Sequence, residues 1–86
     1  MREIYVHHNA FKHGLTKEDI VFALQNYIRM QYRAEPNGDQ AIAVGVDKKG
    51  RLVELVCTEK QFGILIYHAK TPPTTKMLLE LGMVRR

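Results

Sequence analysis

Gln40-Ala-Ile-Ala-Val-Gly-Val-Asp-Lys-Lys-Gly-Arg-Leu-Val-Glu-Leu-Val-Cys-Thr58 holds two apolar, β-branched runs around a Lys48-Lys49-Gly50 turn. Gly50 supplies the positive-φ position that a tight hairpin requires. In the second run, Arg51–Thr58, alternation places Leu52, Glu54, Val56 and Thr58 on one face. Arg51, Val53, Leu55 and Cys57 fall on the other. A short Glu59–Phe62 turn leads to a third run, Gly63-Ile-Leu-Ile-Tyr-His-Ala-Lys70. Runs joined by such short links pair as an antiparallel meander. Thr71-Pro-Pro73 stops the last strand, because proline cannot donate to the ladder.

Outward from this sheet the signals change to those of helix. Upstream of the turn-rich Ala34–Asp39 loop, Thr16 can cap free amides, and Glu18 and Asp19 favour the positive end of a helix dipole. Ile20, Leu24, Tyr27 and Ile28 recur at helical spacing, which predicts a helix to about Arg29–Tyr32 that buries this stripe. The basic, aromatic Arg29–Arg33 stretch then falls at the negative helix end or serves as a nucleic-acid contact. Downstream, Thr74–Leu81 reads as a short helix buried through Met77, Leu78 and Leu81, with Gly82 as its C-cap. At the start of the chain, Arg2–His7 alternates as a short strand, and His8–His13 is a helical turn or irregular link before Gly14. Met83–Arg86 is a basic tail. The expected architecture is α+β in one domain, 1–86: a helix first, a three- or four-stranded antiparallel sheet packed on it, and a short C-terminal helix.

The totals bound the function. The chain has 86 residues, 45% of them apolar, enough for one modest core. No apolar run is long enough to cross a bilayer, and the first residues lack the apolar core of a signal peptide. The single cysteine, Cys57, sits among Val and Leu mid-strand and reads as a small buried hydrophobe. A cytoplasmic location follows. A formal net charge of +4 on so small a domain is a bias toward a polyanionic partner.

Polar chemistry concentrates at the end of the third run. Alternation puts Ile64, Ile66, His68 and Lys70 on one side and Leu65, Tyr67 and Ala69 on the other. If the first side is exposed, His68 and Lys70 form an acid/base group beside a cation. If it is the core side, His68 is a structural imidazole and Lys70 emerges at the rim. Tyr67 can share a face with His68 only if a bulge interrupts the strand end. A second group is His7-His8 with Lys12-His13. Adjacent histidines on one element diverge, and no Cys or acidic ligand is near in sequence, so no metal site and no cofactor is expected.

Lys12-His-Gly-Leu-Thr-Lys-Glu-Asp-Ile-Val-Phe22, Ile42–Val56 and Ile64-Leu-Ile-Tyr-His-Ala-Lys70 together resemble the BrnT family. The landmarks of that family are a Lys-His-Gly before a capped helix, a Gly-Arg-Leu opening a central strand, and a late strand ending Ser-Ala-Arg. The resemblance covers roughly residues 11–81. It implies a RelE-like ribonuclease fold, the role of a toxin in a type II toxin–antitoxin system, and metal-independent cleavage of mRNA. It also implies a cognate antitoxin as partner, in a hetero-oligomer. Carried over by position, Lys12 and His13 match the Lys-His pair, Arg51 the Gly-Arg arginine, and His68 and Lys70 the Ser and Arg of the late strand. His68, Lys70 and His13 are then the expected catalytic residues. Lys12, Arg51 and Tyr67 are the expected contacts to phosphate or base. Lysine at 70 gives up the bidentate fork of arginine but keeps the charge. Histidine at 68 adds acid/base capacity that serine lacks. The alternative is a non-catalytic RNA- or protein-binding module on the same scaffold.

Overall fold

The computed structural model describes residues 3–84, so Arg2 and the Arg85-Arg86 end of the basic tail lie outside the described residues. In chain order the elements are β1 (Ile4–Val6), a 3-10 turn (His8–Phe11), α1 (Lys17–Gln25), β2 (Tyr27–Tyr32), β3 (Gln40–Val46), β4 (Leu52–Lys60), β5 (Gly63–Lys70) and α2 (Thr75–Glu80). The class is α+β. The sheet has five strands in the order β1-β5-β4-β3-β2, and it is mixed. The expected β3-β4-β5 meander is antiparallel, but β1 runs parallel to β5, with Ile4 opposite Ile64 and Val6 opposite Ile66. The expectation of a wholly antiparallel sheet of three or four strands is thereby corrected. So is the helix-first order, since a strand opens the chain.

The second correction is larger. α1 ends at Gln25, and the segment expected to continue it is a strand. Asn26 closes the helix with φ −119° and ψ 44°, its side-chain amide donating to the Phe22 carbonyl at 2.9 Å. Tyr27 and Ile28, expected in the buried stripe, are 54% and 55% exposed. Tyr, Ile and Met fit a pleated surface as well as a helix, and pairing with β3 decides between them. The start of α1 is as expected: Thr16 and Asp19 exchange side-chain-to-backbone bonds in a capping box.

Both faces of the sheet are packed. On one, Ile20, Ala23 and Leu24 of α1 meet Ala41, Ala43, Val53, Leu55, Cys57, Ile66 and Ala69. On the other, Met77 and Leu81 of α2 meet Ile42, Val44 and Val56, with Tyr67 against them. β4 follows the predicted alternation but runs on to Lys60, which shortens the expected Glu59–Phe62 turn. Among the described residues no helix is long and apolar enough to cross a membrane.

Candidate functional site

The site is built around a carboxylate placed in an apolar strand. Glu54 faces α2 from the third position of β4 and is only 4% exposed. A buried carboxylate needs partners, and both oxygens have one. Oε2 lies 2.7 Å from Nε2 of His68, and Oε1 accepts the backbone N–H of Thr74 at 2.6 Å. Thr74 is the N-cap of α2, so one side chain joins β4, β5 and α2. Burial alone would raise the Glu54 carboxyl, but the Thr74 amide and His68 together hold it below its ordinary value.

His68 reaches Glu54 because β5 is bulged. Ile66 pairs with Cys57 and His68 with Val56, which leaves Tyr67 as the extra residue. Ile66 and Ala69 therefore remain in the α1-side core, while Tyr67 and His68 both turn toward α2. Strict alternation, which set His68 with Ile64 and Ile66, fails at this point. His68 and Lys70 still share a face. Tyr67 buries its hydroxyl with no hydrogen-bond partner.

Lys12 and His13 arrive from the opposite end of the chain. The 3-10 turn packs on β5 and delivers His13 just before Gly14, which takes φ +83°. The His13 ring stands edge-on to the His68 ring, 5.6 Å between centroids and 79° between planes. A cleft of about 440 Å³ opens beside them, with buried Val56 and Met77 among its lining. Lys12 and Lys76 line it, and neither ammonium has a partner among the described residues. Arg33 lines the cleft from the end of β2. Its guanidinium is bidentate to Glu80, at 2.9 and 3.2 Å, and donates to Gln40 Oε1 at 2.9 Å.

Of the expected site residues, the fold brings together Lys12, His13, Tyr67 and His68. Lys70 is opposite Glu54 in the ladder but points its ammonium at the Pro72 carbonyl, 3.3 Å away. Arg51 is on the α1 side, bonded to Asp47 at 2.7 Å and 3.8 Å from Asp19. It braces the hairpin turn there, away from the cleft. Glu54, Gln40 and Lys76 escaped the sequence reading, and Arg33 belongs to the Arg29–Arg33 stretch read there as a helix-end cation group or a nucleic-acid contact. The signal for Glu54 was a lone acid flanked by Val53 and Leu55 in a core strand. Among the described residues no three His, Cys, Asp or Glu side chains group as metal ligands. Burial pushes the Cys57 thiol up to about 11, which suits its place in the α1-side core and not a nucleophile.

The arrangement can hold one imidazole by its Nε2–H and leave Nδ1 free, since an ionised carboxylate only accepts. Nδ1 has no partner among the described residues. His68 and two free ammonium groups line the cleft, and His13, outside its lining, stands against the His68 ring; together they are parts for general acid–base chemistry on an anion. No family model, curated protein or solved structure matches the chain.

Proposed function

We propose that the chain is a metal-independent endoribonuclease, the toxin of a type II toxin–antitoxin pair on a RelE-like scaffold. It cleaves mRNA in the cytoplasm and is held silent by a cognate antitoxin. The contact of His13 with His68, with Glu54 behind, is the observation that carries the catalytic reading. RNA brings its own nucleophile, so the protein has only to move protons and hold charge. Nδ1 of His68 takes the proton of the 2′-hydroxyl, and the 2′-oxygen attacks phosphorus. His13 gives a proton to the departing 5′-oxygen. The products are a 2′,3′-cyclic phosphate and a 5′-hydroxyl. Lys12 and Lys76 hold the non-bridging oxygens as charge builds on them. The toxin role and the antitoxin partner rest on the resemblance of residues 11–81 to the BrnT pattern. Co-expression with the product of an adjacent short reading frame, followed by co-purification, tests them.

The cleanest test of the chemistry is His68→Gln, because the glutamine amide can still donate to Glu54 while lacking a titratable nitrogen. Cleavage is expected to fall on the order of 10²–10⁴-fold with the melting temperature nearly kept. A folded His68→Gln protein that still leaves cyclic-phosphate ends on RNA at the wild-type rate would overturn the assignment.

One observation favours a second reading. Glu54 also holds the amide of Thr74, the N-cap of α2, so the Glu54–His68 pair is in part a strut between sheet and helix. A wild type that binds RNA without ever cutting it would make this a binding module.

A further inference from the structure

Arg33 and Glu80 form a contact that the ribonuclease reading does not use. Both donors on one edge of the guanidinium point at one carboxylate, at 2.9 and 3.2 Å. A guanidinium grips a phosphate with the same fork. Gln40 fixes the remaining side of Arg33 at 2.9 Å, so the fork is aimed whether or not Glu80 is present. Glu80 is weakly placed. It ends α2, at the negative pole of that helix, where a carboxylate is disfavoured. The pair is also partly open to water, at 29% and 31% side-chain exposure, so an entering anion can reach it. In the same cleft the Tyr67 hydroxyl is buried without a partner, and Lys76, one turn before Glu80, is free.

We propose that Arg33 is a phosphate-binding residue of the cleft and that Glu80 is its internal competitor, displaced when a backbone phosphate of the RNA enters the fork. The inference rests on the ribonuclease reading above and concerns a phosphate neighbouring the one that reacts. A phosphate in the cleft also offers an oxygen to the Tyr67 hydroxyl, which is buried there without a partner. Displacement of Glu80 sets a threshold, since an anion that cannot outcompete the tethered carboxylate does not bind.

The test is equilibrium binding of a short single-stranded 2′-O-methyl oligoribonucleotide of mixed sequence, which has no free 2′-hydroxyl and is not cut. Wild type, Glu80→Gln, Arg33→Gln and the double variant are compared, with melting curves to confirm folding. Glu18→Gln, which neutralises an acid paired with Lys48 on α1, controls for net charge. Glu80→Gln is expected to bind about five- to tenfold tighter than wild type. That gain should vanish in the double variant, and Glu18→Gln should stay within about twofold of wild type. If Glu80→Gln binds no tighter, or keeps its gain without Arg33, the competitor role is overturned while the ribonuclease reading stands. If no variant binds the oligonucleotide, both fall.

Discussion

At Glu54 and Asp47 burial and hydrogen bonding pull the same group in opposite directions. Asp47 is 2% exposed, yet its carboxylate accepts the backbone amides of Lys49 and Arg51 and the Arg51 side chain. Burial would raise the Asp47 carboxyl, but those donors outweigh it and hold it below its ordinary value, as at Glu54. The hydrogen bonds at Glu54 also orient His68. Glu54→Gln is therefore expected to slow RNA cleavage by at least about tenfold, because the imidazole loses the charged acceptor that fixes its orientation. Single-turnover cleavage beside a melting curve separates that effect from destabilisation. Glu54→Ala is expected to lose on the order of 1–3 kcal/mol as well, since the Thr74 amide and His68 lose their acceptor.

Among the elements, β2 and the bulge of β5 decide where the site is. As a strand, β2 sends Arg29, Gln31 and Arg33 to the α2 side, where they bond Leu81 O, Glu80 O and the Glu80 carboxylate. A helix through Tyr32 would not have lined them up. The expectation that these cations meet a negative helix end applies to α2, through Arg29, instead of to α1. α1 can lie close on β3 because the residues beneath it are small: Ala41, Ala43 and Gly45. A Cβ at Gly45 would overlap the Ala23 carbonyl, which is backbone and cannot swing aside. Gly45→Ala is expected to cost about 3 kcal/mol and to lower the melting temperature by on the order of 10–20 °C. A melting temperature within a few degrees of wild type would show that α1 can shift without cost.

For the whole molecule, the two depressed carboxyls set a pH dependence. Each binds fewer protons folded than unfolded, so its contribution to stability is complete above the ordinary values of 3.8 for Asp47 and 4.5 for Glu54. That contribution is lost as the pH falls through the lower folded values. Denaturant unfolding across the acid range is expected to show stability falling with pH, and Asp47→Asn should flatten the slope. An unchanged slope in that variant would mean that Asp47 titrates alike in the folded and unfolded chain.

Local chemistry determined much of this protein before any packing. The hairpin with its Gly50 turn (φ +79°), the capped start of α1, the stop at Thr71-Pro72-Pro73 and the α2 stripe of Met77 and Leu81 were all readable. Each depends on residues a few positions apart, where backbone sterics and capping act without help from the rest of the chain. So did the content of the late strand, Tyr67, His68 and Lys70, but not its orientation. Tertiary structure decided the rest. Tyr27–Tyr32 satisfies a helix or a strand, and only the free edge of β3 selects the strand. The bulge at Tyr67 is set by what must lie opposite Cys57 and Val56. The meeting of His13, Glu54 and His68 comes from three segments distant in sequence, joined because a buried carboxylate must find its hydrogen bonds wherever the fold can bring them.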